Sequence, residues 1–189
     1  MKIGILGFQG AVIEHIHHIE QLGHNAIKIL YPHQLEEIDG IIIPGGESTT
    51  IGKLLVRTNM LDVLRNKIEK GMPVWGTCAG MILLAKTIEG CATSHLATMD
   101  ICVKRNAYGT QIDSFSTSII VNKVTNNPIP LIFIRAPYIT KVNKNVEILC
   151  SYKENIVAAK QDNMLVTSFH PELSSDSSFH SYFLNMCKK

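Results

Sequence analysis

The sequence predicts a single α/β domain of three layers, in which a mostly parallel central sheet carries helices on both faces. The first half of the chain alternates apolar runs with amphipathic segments, the order that builds parallel sheets. Those apolar runs are hydrophobic at every position, as strands covered on both faces are. The length of 189 residues suits one domain that spans residues 1–189.

The predicted elements follow one another with short connections. Apolar residues at steps of three and four predict a helix from Val12 that ends before Gly23, and another that ends before Gly71. A third helix is predicted over residues 81–88 and a closing helix over residues 179–187. Strands are predicted at residues 3–6, 26–30, 40–44, 73–77, 116–121, 131–134, 146–152, 156–160 and 165–169. We expect the later strands to extend or flank the sheet.

The composition argues against several classes of protein. Lys and Arg number 18 against 16 Asp and Glu, and a net charge of +2 is too small to predict a nucleic-acid or membrane partner. No apolar run approaches the ~20 residues that a transmembrane helix needs, and the apolar start is too brief for a signal peptide. The five cysteines are widely spaced, so we expect free thiols and a cytoplasmic location.

The clearest candidate for chemistry is the segment Gly76-Thr77-Cys78-Ala79-Gly80. It follows a predicted strand and precedes a predicted helix, and its G-x-C-x-G spacing is that of a nucleophile elbow with cysteine in place of serine. Cys78 is the expected nucleophile, and the amide of Ala79 is an expected donor to an oxyanion. The alternative is a buried cysteine in a glycine-rich turn.

A base for that nucleophile is predicted at His170-Pro171-Glu172. Residues two apart on an extended segment face the same side, and the proline favours that conformation. Glu172 can then accept a hydrogen bond from one imidazole nitrogen of His170 while the other faces Cys78. Each motif alone has an ordinary structural explanation, but together they predict a catalytic triad of Cys78, His170 and Glu172.

A third candidate segment is Gly-Gly-Glu-Ser at residues 45–48, directly after a predicted strand. Glycines let backbone amides approach a ligand closely, so Gly46 is the second expected oxyanion donor. Glu47 and Ser48 are expected to hold a polar substrate. The alternative is an ordinary strand-to-helix turn in which Ser48 or Thr49 caps the helix.

The remaining histidines and cysteines are weaker candidates. His15 and His18 lie one helical turn apart, which permits a metal site, but a solvated polar face opposite the apolar stripe is favoured. No nucleotide-binding or phosphate-loop motif occurs in the sequence, so we expect no cofactor and no metal. Packing or surface positions are expected for the other cysteines, which are Cys91, Cys102, Cys150 and Cys187.

With these motifs assembled, the chain resembles the triad-type (class I) glutamine amidotransferases, and most closely the family of glutaminase subunits of pyridoxal 5′-phosphate synthase. The class is indicated by the elbow at residues 76–80 and by Phe169-His170-Pro171-Glu172. The narrower resemblance rests on Gly7-Phe8-Gln9-Gly10-Ala11-Val12 followed by Glu14-His15, on Pro44-Gly45-Gly46-Glu47-Ser48-Thr49-Thr50, on Arg105-Asn106-Ala107-Tyr108-Gly109 and on Ile134-Arg135-Ala136-Pro137.

The resemblance implies a flavodoxin-like fold and hydrolysis of L-glutamine to L-glutamate and ammonia through a thioester on Cys78. It implies that ammonia passes to a separate (β/α)₈-barrel synthase subunit, within a large hetero-oligomer, that builds pyridoxal 5′-phosphate. Gln9 is the residue expected to relay contact with that partner. The resemblance also implies a set of glutamine-binding residues, namely Gly46, Glu47, Ser48, Arg105, Ile134 and Arg135.

Three other interpretations are weighed against this one. Another amidotransferase of the same class, such as the glutaminase of imidazole glycerol phosphate synthase, is disfavoured by Arg135-Ala136-Pro137 and by Glu47-Ser48-Thr49-Thr50. A related cysteine hydrolase or chaperone-like protein is disfavoured by the late histidine with a glutamate two residues on. A regulatory binding module with an inactive site is disfavoured by the complete set of triad residues.

Overall fold

The computed structural model describes residues 1–105 and 114–188. The α-helices in those ranges are α1 (Val12–Gln21), α2 (Ser48–Arg57), α3 (Met60–Glu69), α4 (Ala79–Leu84) and α5 (Ser178–Cys187). The strands are β1 (Lys2–Leu6), β2 (Asn25–Ile29), β3 (Gly40–Ile43), β4 (Val74–Thr77), β5 (Ala85–Ile88), β6 (Met99–Lys104), β7 (Ser114–Ile120), β8 (Pro128–Ile134), β9 (Tyr138–Val142), β10 (Glu147–Tyr152), β11 (Asn155–Gln161) and β12 (Met164–Thr167). None of the described helices is long and apolar enough to span a membrane.

A large mixed sheet organises the chain. Its strand order is β2-β1-β3-β4-β12-β11-β9-β6-β5, with β10 paired to β11. The five strands from β2 to β12 are parallel to one another, whereas β11 runs antiparallel to its neighbours. The parallel half brings the carboxyl ends of β1, β3, β4 and β12 to one edge, which is where open α/β sheets bind ligands. The predicted class, an α/β fold with a mostly parallel sheet, is confirmed.

Alternate residues of the central strands pack against helices on opposite faces of the sheet. On β3, Ile41 and Ile43 pack with the apolar residues of α2, α3 and α4, while Ile42 packs with those of α1 and α5. All three isoleucines are 0% exposed. A strand buried on both faces must be apolar at every position, which is the pattern that predicted the layered arrangement.

The later strands both extend and flank the sheet, as expected. Strands β11, β9 and β6 extend it, while β7 and β8 form a separate antiparallel ribbon. The ribbon is fixed to the domain by Phe133, whose ring lies edge-on to Phe169 at a centroid distance of 5.8 Å. The backbone N–H of His170 also donates to the carbonyl of Ile132 at 2.8 Å. The ribbon therefore helps to position the segment that follows β12.

The structure corrects the predicted helix at residues 81–88. The helix α4 ends at Leu84, and Ala85 adopts an extended conformation with φ −61° and ψ 133°. The next residues form β5, in which Thr87 and Ile88 pair with β6. Because β-branched side chains favour strands and β6 supplies the hydrogen bonds, tertiary pairing prevails over the apolar run. Strands β6 and β9 are not predicted from the sequence, and α2 is anticipated only by the alternative of a strand-to-helix turn at Ser48 or Thr49.

Candidate active site

Cys78 lies between β4 and α4 in a backbone conformation that residues with a side chain rarely adopt. Its φ is 47° and its ψ is −101°, a strain of about 1–3 kcal/mol that the surrounding structure must offset. One contribution is the hydrogen bond from the N–H of Cys78 to the carbonyl of Thr167, at 2.8 Å. The cysteine is 8% exposed, so it reaches solvent only through the edge of the site.

The two glycines of the G-x-C-x-G segment are explained by close backbone packing. A Cβ on Gly76 would lie 2.5 Å from the carbonyl carbon of Gly80, and a Cβ on Gly80 would lie 2.2 Å from the carbonyl oxygen of Ile43. Backbone atoms cannot rotate aside as a flexible side chain can, so neither position accepts a larger residue. The elbow therefore packs directly on β3, and Cys78 is the residue of the turn that adopts the unusual backbone conformation.

His170 follows β12 and faces both of its predicted triad partners. Its Nδ1 lies 2.8 Å from Oε1 of Glu172, and its ring also hydrogen-bonds with Cys78. The expected extended backbone is wrong, because Pro171–Leu173 forms a 3₁₀ turn that curves Glu172 back beneath the imidazole. Pro171 starts this turn without losing a hydrogen bond, since the first helical N–H has no partner.

The proton balance of the site favours a protonated His170. Burial by itself lowers the pKa of His170, but hydrogen bonds with Cys78 and Glu172 and their negative charges outweigh it and raise the pKa to about 10. For Glu172 burial acts in the opposite direction and raises the pKa. The hydrogen bond and charge of His170 help to bring this pKa below its usual value. At neutral pH an imidazolium therefore lies between the sulfur and the carboxylate.

The two amides predicted to stabilise an oxyanion belong to segments that adjoin Cys78. Ala79 is the first residue of α4, and the first N–H groups of a helix have no acceptor within it. A Cβ on Gly10 would lie 2.2 Å from the carbonyl oxygen of Gly45, so this oxygen points at Gly10. Across the trans peptide bond, the N–H of Gly46 must point away from Gly10.

Gly45 itself lies against the triad. A Cβ at this position would be 2.6 Å from Cε1 of His170 and 3.5 Å from Cβ of Cys78. A side chain there would displace the imidazole. No role for Gly45 is predicted from the sequence, although the Gly-Gly pair after a buried strand is a visible signal.

Glu47 serves as the N-cap of α2, so the alternative in which Ser48 or Thr49 caps this helix is wrong. Its Oε1 accepts from the N–H of Thr49 at 3.0 Å and its Oε2 from the N–H of Thr50 at 2.7 Å. These hydrogen bonds outweigh the effect of burial and lower the pKa of Glu47 to about 2. Ser48 is the first residue of α2 and is buried.

The predicted glutamine-binding arginines lie in different surroundings. The guanidinium of Arg105 contacts Oγ1 of Thr49 at 3.3 Å and Sγ of Cys91 at 2.6 Å. Arg135 follows Ile134, the last residue of β8, and is exposed with a φ of 45°. Its guanidinium makes no hydrogen bond or ion pair with any residue of the described ranges. The rest of the Arg105 motif, residues 106–109, lies outside them.

The predicted solvated face at His15 and His18 is wrong, because these residues are 0% and 4% exposed. His15 lies 3.0 Å from His180 of α5 and 3.5 Å from Oε2 of Glu172. Its position one turn before the buried Ile19 was the signal for burial. Within the described part of the chain, no cluster of three or more His, Cys, Asp and Glu side chains has the arrangement of a metal site.

A cysteine sulfur beside a protonated imidazole that is held by a carboxylate, with backbone amides adjoining, is typical of enzymes that transfer acyl groups through a cysteine. Residues 5–189 match the SNO glutamine amidotransferase family, and the chain belongs to that family.

Individual relatives agree with this assignment. The pyridoxal 5′-phosphate synthase subunit PdxT of Clostridium kluyveri is 59% identical over 188 residues, covering 100% of both chains. The protein of the same name from Clostridium acetobutylicum is 54% identical over 98% of this chain and 100% of its own length. A crystal structure of a glutamine amidotransferase matches with a TM-score of 0.92 at 37% identity, covering 98% of each chain.

We expect Glu172→Gln to lower the pKa of His170, because a neutral amide no longer favours the imidazolium. In the unmodified protein the ring should stay protonated through neutral pH and lose its proton near pH 10. In the variant the midpoint should move toward the ordinary value of about 6.5. NMR titration of the histidine side chains measures both, with the exposed Glu20→Gln as control. An unchanged midpoint in Glu172→Gln would contradict the assignment of Glu172 as the partner that keeps His170 protonated.

Proposed function

We propose that this protein hydrolyses L-glutamine to L-glutamate and ammonia, and that the ammonia serves a synthase subunit that makes pyridoxal 5′-phosphate. The observation that carries the hydrolysis is Cys78, held in a strained elbow and hydrogen-bonded to a His170 that pairs with Glu172. The synthesis is supported by the names of relatives that are 54–59% identical over nearly the whole chain. The same names disfavour the glutaminase of a different synthase.

In the proposed reaction, the sulfur of Cys78 attacks the side-chain amide carbon of glutamine while His170 carries the proton of the thiol. The C–N bond then breaks as His170 gives this proton to the departing nitrogen, which leaves ammonia and a thioester. His170 next takes a proton from water, whose oxygen attacks the thioester and releases glutamate and the thiolate. The amides of Gly46 and Ala79 are the proposed donors to the oxyanion in both steps.

The proposed glutamine-binding residues offer charges that suit an amino acid. An α-carboxylate is best held by a guanidinium, which forms two parallel hydrogen bonds. Arg105 lies beside Thr49 at the start of α2, and Arg135 leaves its guanidinium exposed next to Ile134. The ionised Glu47 supplies a negative charge for the α-ammonium, and its hydrogen bonds to α2 hold it in place.

We expect Cys78→Ala to reduce glutamine hydrolysis below a few per cent of the unmodified rate, because no thioester can form. The fold should survive, since the smaller side chain fits the same turn. The rate of glutamate release measures the effect. Cys102→Ala is the matched control, because Cys102 lies on β6, which is separated from β4 in the sheet by β12, β11 and β9. Retention of the unmodified rate in Cys78→Ala would refute the covalent mechanism.

Replacing the arginines should affect substrate binding. We expect Arg105→Ala or Arg135→Ala to raise KM for glutamine by about ten-fold or more, since a charged hydrogen bond contributes about 1.5–3 kcal/mol. Steady-state rates over a range of glutamine concentrations measure this, with the exposed Arg57→Ala as control. Unchanged KM values in both variants would mean that the carboxylate is held elsewhere.

The proposed partner is a (β/α)₈-barrel synthase subunit in a large hetero-oligomer, and the proposed location is the cytoplasm. Support for a relay through Gln9 comes from two contacts with the oxyanion segment. Oε1 of Gln9 accepts a hydrogen bond from the N–H of Glu47 at 2.9 Å, and Gly10 lies against the carbonyl of Gly45. A partner that moves the Gln9–Gly10 turn would therefore act directly on the Gly45–Gly46 peptide.

We expect the isolated chain to hydrolyse glutamine slowly and the synthase to activate it. The Gly45–Gly46 peptide rotates at little cost because glycine lacks a Cβ, and one missing oxyanion donor lowers the rate by ~10²–10³. Titration of the synthase against a fixed amount of this chain, following glutamate, measures the activation. Gln9→Ala should weaken it, whereas Gln21→Ala, at the far end of α1, should not. Full activity without synthase would contradict the relay.

A further inference from the structure

Behind the triad lie three buried histidines that the proposed reaction does not use. They are His15 and His18 on α1 and His180 on α5, and we call them the histidine cluster. Nδ1 of His15 lies 3.0 Å from Nε2 of His180, and His18 stacks on His180 with ring centroids 4.2 Å apart. His18 is itself fixed by Oγ of Ser177 at 2.8 Å and by the carbonyl of Ser174 at 3.0 Å. The cluster is therefore a rigid part of the interior.

The histidine cluster meets the triad at Glu172. Oε1 of Glu172 contacts Nδ1 of His170 at 2.8 Å, while Oε2 lies 3.5 Å from Nε2 of His15. The side chains of Glu172 and His15 are both fully buried, and neither of these two atoms makes a hydrogen bond with any residue of 1–105 and 114–188. A buried carboxylate oxygen without a donor is costly. The N–H of His15 is thus the group placed to satisfy it.

The protonation of His15 and His180 sets which nitrogen donates in each of these contacts. Burial lowers the pKa of His15 to about 4, although the charge of Glu172 opposes it. His18 and His170 lower this pKa slightly further, and Glu14 raises it slightly. Burial also lowers the pKa of His180, so both rings are neutral at pH 7. A neutral His15 that donates from Nε2 must accept at Nδ1, from the Nε2–H of His180. The donors run from His180 through His15 to Glu172.

We propose that His15 is a positioning residue for the triad, whose Nε2–H holds Oε2 of Glu172 so that Oε1 stays directed at Nδ1 of His170. This inference rests on the proposed glutaminase function. Glu172 then accepts an imidazole proton on each of its two oxygens. Without His15 the carboxylate can turn away from His170, and the imidazolium loses its partner. Because His15 does not border the substrate, the loss falls on kcat and leaves KM unchanged.

Three variants test this role in the full chain with its synthase partner. His15→Leu removes the donor, and kcat should fall about ten-fold, comparable to the loss of activity of about 10–100-fold when the group that orients a metal-bound histidine is removed. His15→Gln places an amide N–H near the position of Nε2 and should retain kcat within about three-fold. His17→Leu is the control, because His17 is exposed on the same helix and contacts Gln21.

A second readout separates positioning from a general effect on the fold. The NMR titration midpoint of His170 should move to lower pH in His15→Leu, because a displaced Glu172 supports the imidazolium less, and it should not move in His17→Leu. An unmoved midpoint in His15→Leu would overturn the proposal, even if the melting temperature falls. If His15→Leu does not fold, His15→Gln is compared with His15→Asn, whose shorter amide cannot reach Glu172. Equal midpoints and kcat values in this pair would overturn it as well.

The titration also distinguishes a failure of this inference from a failure of the proposed function. If the unmodified protein with its synthase hydrolyses no glutamine, the proposed function is wrong. The His170 midpoint requires no substrate, so it decides the positioning role of His15 in either case.

Discussion

The contact on which the site depends is the backbone packing of the elbow against β3. With Gly80 seated on the carbonyl of Ile43 and Gly76 on the backbone of Gly80, the turn between β4 and α4 has one available path. That path forces Cys78 into a conformation with positive φ, and the neighbouring strand secures it through the hydrogen bond to Thr167. The sheet order then decides which segments lie beside Cys78, because β3 and β12 are the two neighbours of β4.

Each neighbouring strand delivers one part of the chemistry to the elbow. The segment after β3 supplies the Gly45–Gly46 peptide, and the segment after β12 supplies His170 and Glu172. Parallel strands end at the same edge, so three segments that are remote in sequence converge without long loops. The close approach of Gly45 to both His170 and Cys78 shows how little space separates these segments. The geometry of the candidate active site is therefore a consequence of strand order.

Sequence reasoning worked where a motif is local and failed where burial depends on a distant partner. The elbow and the His-Pro-Glu segment are short patterns at strand ends, so their residues could be named in advance, and the structure brings them together. Strand β5 could not be predicted, because its extended form depends on pairing with β6. The burial of His15 is indicated by its position one turn before Ile19, but its partners could not be predicted from α1 alone, since they come from α5 and from the turn after β12. Glu47 is predicted to hold a polar substrate, but its hydrogen bonds to two amides of α2 could not be predicted from the sequence.

The start of α1 connects the two parts of the site that would otherwise be independent. Gln9 and Gly10 contact the segment after β3, and His15, one to two turns further along, faces the carboxylate after β12. Val12 and His15 are tied back to this turn, since their N–H groups donate to the carbonyls of Gly10 and Ala11. A displacement of the turn would be transmitted along a continuous hydrogen-bonded helix rather than through flexible side chains. The same short segment therefore contacts both the peptide proposed to stabilise the oxyanion and the carboxylate proposed to orient the base, so a partner docked at this one position would be able to act on both.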